Sequence, residues 1–358
     1  MPGKTTPSLH TPLKDLDKIG LQELMASWGE KSFHGRQIYA ALFKRGIASV
    51  EEMTDLPKRL RDRLREYKPL DLVTPVLTRT ADDGTVKALL EMKDGKRVET
   101  VWMPEEGYAS QCLSTQVGCP LDCAFCATGR MGFERNLTAG EIVDQVIFFR
   151  RIEKAKGPLP ESGGPPRNLV FMGIGEPLLN YAALVQAIRV LSDEGGPAIA
   201  QRRMTVSTAG IVPGILRLAQ EGLKVKLAVS LNAPIDELRD RIMPINRKYP
   251  IAEVMKAAAE YQQKNGFRIT FEYALMPGIN DTEPMIRALR KWLLTVPAKL
   301  NLIPLNPIEK SAHPPADWDA IFDRFYKVFA RDSITLTMRR SRGQEIRAAC
   351  GQLAAQNR

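Results

Sequence analysis

The sequence predicts an α/β protein: about six βα units, preceded by a small helical module and a β-hairpin extension. Three observations predict it. From residue 105 onward, short apolar β-like stretches alternate with longer stretches of helical spacing. Residues 14–68 show helical spacing only. Between these parts, 73–104 holds two stretches that alternate apolar and polar residues, with Asp94-Gly95 between them.

The elements follow in order. Residues 1–10 are polar and contain proline, which predicts an unstructured end. Leu21, Leu24, Met25 and Trp28 recur at helical spacing, as do Ile38, Leu42 and Phe43. Leu56-Pro57 opens a further helix with Leu60 and Leu64 on one face and Arg59, Arg61, Arg63 and Arg65 on the other. The module is thus either a basic accessory domain or a packing extension. The hairpin strands fall at 86–92 and 97–102. Further strands are expected at 112–117, 168–172, 204–207, 225–230, 269–274, 300–303 and 334–338. Helices are expected at 141–153, 181–192, 212–220, 251–264, 284–295 and 318–330. Thr138-Ala139-Gly140-Glu141 is a capping-box signature for the first of these. The glycine- and proline-rich stretch 157–166 reads as a surface loop. Such a series makes an incomplete or closed barrel, or an open doubly wound sheet. The expected divisions are 1–72, 73–104, 105–340 and a C-terminal segment, 341–358.

Composition narrows the class. A chain of 358 residues with 44% hydrophobic and 26% charged residues is ordinary for a globular enzyme. No apolar run is long enough to span a bilayer, and Met1-Pro2-Gly3-Lys4-Thr5-Thr6-Pro7 lacks the apolar core of a secretory signal. Five cysteines, an odd count in a long chain, argue against a disulfide scaffold and for a reducing, cytoplasmic compartment. The three histidines, His10, His34 and His313, are scattered, and no H-E-x-x-H stretch exists, which argues against a zinc hydrolase. A net charge of +10 favours a polyanionic partner such as nucleic acid. Arg202-Arg203 and Arg339-Arg340-Ser341-Arg342 add to the basic face of the N-terminal module.

The stretch richest in chemistry is Cys119-Pro120-Leu121-Asp122-Cys123-Ala124-Phe125-Cys126. Thiolates at this spacing converge on a soft metal centre. A closed structural zinc site needs four ligands. A [4Fe–4S] cluster held by three cysteines leaves one iron open, which is where radical S-adenosylmethionine (SAM) enzymes chelate SAM. A zinc knuckle with a distant fourth ligand, or three unrelated core cysteines, are the alternatives. Other unusual residues sit after expected strands: Gly173-Ile174-Gly175-Glu176-Pro177, Ser207-Thr208-Ala209-Gly210, Ser230-Leu231-Asn232-Ala233-Pro234 and Pro304-Leu305-Asn306-Pro307. In a βα barrel those loops share one end, the functional one.

Together with Val98-Glu99-Thr100-Val101 and Arg342-Gly343-Gln344-Glu345-Ile346, these segments make the whole chain resemble the bacterial radical SAM RNA adenine-C2 methyltransferases. The resemblance implies a partial (βα)6, TIM-like barrel. It also implies 23S rRNA and tRNA as substrates, a flavodoxin- or ferredoxin-type electron donor, and a monomer. Cys119, Cys123 and Cys126 would hold the cluster. Gly175, Glu176, Ser207, Ser230, Leu231, Asn232 and Asn306 would surround SAM; many relatives carry His at the position of Asn232. Cys350 would be methylated by one SAM. A 5′-deoxyadenosyl radical from a second would then activate that methyl group to add to C2 of adenine. Glu99 would accept the C2 proton, and Cys112 would release the RNA by forming a disulfide with Cys350. Read without the resemblance, Cys112 and Cys350 are small buried residues, Ser207 and Asn306 are strand-end caps, and Glu99 is an exposed strand carboxylate. A relative that methylates C8 of the same adenine would share these motifs. A non-enzymatic, zinc-containing RNA-binding protein is the third class.

Overall fold

In a computed structural model the described residues are 11–67, 70–156, 166–306, 317–339, 342–349 and 351–353. Cys350, His10, His313, Arg340-Ser341, Pro307 and most of the 157–166 loop lie outside them. The N-terminal module holds α1 (Lys18–Ser27), α2 (Ser32–Tyr39) and α3 (Lys58–Leu64). Leu21, Leu24, Met25, Ile38, Leu60 and Leu64 form its apolar interior, as their spacing predicts. A buried lysine fastens it to the barrel. Lys14 Nζ lies 2.8 Å from Asp71 and 2.5 Å from Asp144, the latter in the first barrel helix. Breaking a buried pair of this kind costs about 3–5 kcal/mol.

One sheet of ten strands runs through the rest of the molecule in the order β1 to β4, then β7 to β12. Strands β1 (Val73–Thr80), β2 (Val86–Met92), β3 (Arg97–Glu105) and β4 (Tyr108–Cys112) are antiparallel neighbours. A short pair, β5 (Gln116–Gly118) and β6 (Phe133–Asn136), brackets the cysteine loop. The parallel series continues with β7 (Pro166–Phe171), β8 (Met204–Thr208), β9 (Lys226–Ser230), β10 (Ile269–Leu275), β11 (Ala298–Pro304) and β12 (Thr335–Met338). The connecting helices are α4 (Ala139–Lys156), α5 (Tyr181–Ser192), α6 (Val212–Gln220), α7 (Asp236–Ile242), α8 (Ile251–Asn265), α9 (Glu283–Leu293) and α10 (Trp318–Phe329). Consecutive parallel strands are direct neighbours, so the sheet is wound in one direction like a barrel wall. A doubly wound sheet would reverse its strand order midway. The wall is open, because β12 pairs with β11 alone.

Two differences from the sequence reading bear on the site. The first barrel strand ends at Cys112 instead of running to 117: Thr115 and Gln116 N–H groups donate to the carbonyl of Ile174, and β5 pairs off separately with β6. Strand β1 was not expected, because it is an edge strand with mostly exposed side chains and gives no apolar alternation. The predicted capping box is present: Thr138 Oγ1 accepts from Glu141 N–H, and Glu141 accepts from Thr138 N–H.

Candidate active site

The loops after the parallel strands meet at one end of the sheet around a cavity of about 940 Å³, counting space open to solvent. Cys119, Cys123 and Cys126 line one side of it. Gly175 and Glu176 reach it from the end of β7, Ser207 from β8, Ser230 and Asn232 from β9, and Asn306 from β11. Leu231 is fully buried and does not line it; its N–H donates to Glu272 O and its carbonyl accepts from Arg239.

Burial pushes the Cys119 thiol up to about 12 and raises that of Cys123 as well, with each neighbouring thiol and Glu176 adding to the effect. A thiolate in this place therefore needs a cationic partner, which iron supplies. Among the described residues no three His, Cys, Asp or Glu are grouped to hold a metal ion. All three thiols line the same cavity, where three thiolates could hold an iron–sulfur cluster with one iron left open.

Glu176 is buried, and burial pushes its carboxyl up to about 7, opposed by hydrogen bonds from Ala209 N–H, Leu178 N–H and Thr208. The amides lie 2.8 Å and 3.0 Å away. Three donors leave one of the carboxylate's four lone-pair sites for a ligand, and an ammonium would complete it with a charge-assisted bond. Gly175 has φ 102°, and a Cβ there would stand 2.5 Å from Gln116 Cβ, so no other residue fits. Ser207 Oγ donates to Glu272 Oε2 at 3.3 Å. Asn232 adopts φ 58°, a left-handed conformation that Asn tolerates. Its Oδ1 accepts from Ala274 N–H at 2.8 Å and its Nδ2 meets Met243 Sδ. Its side chain thus braces the β9 and β10 ends and is not spare for a ligand. Asn306 Oδ1 accepts from Gln344 at 3.1 Å.

Sequence reasoning missed Glu272 and Arg239. Glu272 lines the cavity beside Ser207. Arg239, on the short helix α7, is fully buried and donates to the carbonyls of Ala209, Ser230 and Leu231 and to Asn246. It ties the β8 and β9 loops together. A lone Glu inside a strand and an Arg in a seven-residue helix give no motif.

A second site lies on the face of the antiparallel half. Cys112 pairs with Val101, and Val101 with Lys87, so the three share one face; Glu99, two residues from Val101, shares it. Glu99 is only 2% exposed, which removes the reading of an exposed carboxylate, and its Oε1 is 2.8 Å from Lys87 Nζ. Cys112 lines a small cavity with Ala348 and Ala349 of the C-terminal segment. On the far side of position 350, Gly351 lines the cysteine cavity; its carbonyl accepts from Ala127 N–H at 2.7 Å. Thr128 Oγ1 donates to Leu353 O at 2.8 Å.

The basic face of α3 is more occupied than its sequence implies. Arg59 pairs with Glu30 at 3.1 Å, Arg65 with Glu51 at 2.9 Å, and Arg63 lies 4.1 Å over the Trp28 ring.

The radical SAM superfamily profile matches residues 113–289, and the "Ribosomal RNA large subunit methyltransferase N-terminal domain" profile matches 11–69. The chain is 46% identical over 346 residues to "Dual-specificity RNA methyltransferase RlmN" of Anaeromyxobacter dehalogenans (strain 2CP-C), covering 96% of this chain and 92% of the relative. It is 41% identical over 341 residues to "Probable dual-specificity RNA methyltransferase RlmN" of Dictyoglomus thermophilum (strain ATCC 35947 / DSM 3960 / H-6-12), covering 95% of each. A crystal structure of a radical SAM methyltransferase from Sphaerobacter thermophilus is 42% identical, with a TM-score of 0.89, covering 97% of this chain and 100% of that one. The fold and the cysteine cavity define a radical SAM enzyme, whose cofactors are a [4Fe–4S] cluster and SAM. With such identity along nearly its full length, the chain belongs to the family of dual-specificity RNA methyltransferases.

Proposed function

We propose that this enzyme methylates C2 of adenine in 23S rRNA and in tRNA, in the cytoplasm, as a monomer that takes electrons from a flavodoxin- or ferredoxin-type donor. One observation supports the mechanism above others: Glu99 and Cys112 stand on one sheet face, and Ala348 and Ala349, next to Cys350 in the chain, line the Cys112 cavity. C2 of adenine is an sp2 C–H position without nucleophilic character, so direct methyl transfer from a sulfonium fails there. When bound at Cys119, Cys123 and Cys126, the cluster with SAM supplies a methyl group and a radical strong enough to take hydrogen from it. Gly175, Glu176, Ser207, Ser230 and Asn306 position SAM, with Asn232 contributing only its backbone, Glu176 facing the ammonium and the buried Leu231 shaping the loop. Cys350 bears the methyl group to the base and stays joined to C2 through it. Glu99 removes the C2 proton as the odd-electron adduct gives up one electron, for which the oxidised cluster would be the acceptor. The Cys112 thiolate then attacks Cys350 Sγ; the C–S bonding pair returns to carbon, which takes a proton and becomes the methyl group. A Cys112–Cys350 disulfide is left behind.

The N-terminal module and Arg202-Arg203 bind phosphates of the RNA backbone. The α3 ion pairs are exposed and therefore weak, so phosphates displace their carboxylates readily. The test is an assay of anaerobically reconstituted enzyme with deuterated-methyl SAM and fragments of both RNAs, followed by nucleoside mass spectrometry. A labelled C2-methyladenosine is expected. Label at C8 would assign the enzyme to the resistance-type reaction, and no label would refute RNA methylation.

A further inference from the structure

Lys87 joins the two parts of the second site. Its Nζ lies 2.8 Å from Glu99 Oε1 and donates to the carbonyl of Arg347 at 3.2 Å, three residues before Cys350. Its side chain is 12% exposed and that of Glu99 3%, so this is a shielded pair and not a surface one. An ammonium has three donors and can serve both acceptors at once. The same hairpin grips the segment elsewhere. Gly343 N–H donates to Asp83 at 3.0 Å and Asp82 N–H to Glu345 at 2.9 Å. Gly343 has φ 56°, and a Cβ there would lie 3.0 Å from Thr85 Cγ2.

We propose that Lys87 is a positioning residue for removal of the C2 proton. It aims the Glu99 carboxylate and fastens the backbone of the C-terminal segment at Arg347, keeping proton acceptor and methyl carrier in one register. The antiparallel extension is then the frame of the deprotonation step, not a spacer between domains. The inference rests on the roles proposed for Glu99 and Cys350.

The test uses the full-length, reconstituted enzyme as wild type, Lys87→Met, Lys87→Arg and Glu99→Gln. Three quantities are read: S-methylcysteine at position 350, the covalent RNA adduct on a denaturing gel, and the isotope effect on RNA release with C2-deuterated adenine. Lys87→Met is expected to keep S-methylation within about twofold while release slows at least tenfold. Its adduct should accumulate and its isotope effect exceed that of wild type, because proton removal becomes limiting. Lys87→Arg, which retains charge and donors, should recover most of the rate. Normal release by Lys87→Met, or S-methylation falling as far as release, overturns the positioning role. Should Lys87→Met fail to hold the cluster, Lys87→Gln is read in its place by the same criteria. If Glu99→Gln itself releases RNA normally without adduct, the Glu99 role has failed and this proposal with it. A defective Glu99→Gln beside a normal Lys87→Met sinks the Lys87 proposal alone.

Discussion

The parallel strands β7–β11 and the antiparallel strands β2–β4 belong to one sheet, yet they present functional residues in different ways. The parallel half works from its ends: loops leaving β7, β8, β9 and β11 meet over a cavity, and side chains within those strands are mostly core. The antiparallel half works from its face, where Lys87, Glu99 and Cys112 stand on three neighbouring strands. Loop ends can be reshaped one at a time, which suits holding a cofactor. A strand face fixes its residues relative to each other through the ladder, which would suit the proton acceptor and the thiol proposed above.

Four experiments would break or sharpen this contrast. The largest effect is expected at the loop end: Cys123→Ala should abolish iron–sulfur absorbance and SAM cleavage together, and an active, coloured variant would refute the cluster assignment. On the face, Cys112→Ala should leave SAM cleavage intact and trap RNA on the protein. A denaturing gel should show a slow band that nuclease removes and that disappears when Cys350→Ala is added; normal release of methylated RNA would reduce Cys112 to a packing residue.

The third concerns Glu176. Burial raises its carboxyl to about 7, so the neutral form dominates below that pH and the carboxylate that faces an ammonium dominates above it. SAM affinity should therefore rise with pH through about 7. For the empty protein the linkage runs the other way: a raised carboxyl contributes stability that is present below its unfolded value and lost as pH rises through about 7. SAM should consequently raise the melting temperature more at pH 8 than at pH 6, and Glu176→Gln should level the two. The same substitution should weaken SAM about 10- to 100-fold by equilibrium dialysis, the worth of one charge-assisted hydrogen bond. An unchanged affinity would remove Glu176 from the SAM site.

The smallest effect lies outside both halves. Neutralising Arg59, Arg61, Arg63 and Arg65 should lower the salt slope of RNA binding by about one for each phosphate that no longer meets a guanidinium, with RNA-independent SAM cleavage untouched. An unchanged slope would make the module a purely structural cap.

Loop chemistry was legible in the sequence, because cysteine spacing and Gly-Ile-Gly-Glu-Pro stand in consecutive residues. Helices α5 and α6 fall where their periodicity places them, Tyr181–Ser192 and Val212–Gln220. Face chemistry was legible only through resemblance. Nothing local marks Lys87 as the partner of Glu99; the pair exists because Lys87 faces Val101 and Leu89 faces Glu99 across the ladder. Helix α7 was missed because seven residues give barely two turns of pattern, and with it Arg239, whose importance comes from four partners on other segments, beyond the reach of helical spacing. Asn232 is a partial exception: its left-handed backbone suits Asn, but the use of its side chain by Ala274 is a tertiary fact.

The docking of residues 342–349 and 351–353 has a consequence for synthesis. These residues bond to the hairpin at Asp83 and Lys87 and to the cysteine loop at Ala127 and Thr128, so they join parts of the chain made far earlier. During translation every other piece of both sites exists before this tail leaves the ribosome. A chain stopped after residue 341 would keep Cys119, Cys123 and Cys126 and lack Cys350, the methyl carrier proposed above. Reconstituted, it is expected to methylate nothing, and its cysteine loop would lack the bonds that the tail makes at Ala127 and Thr128.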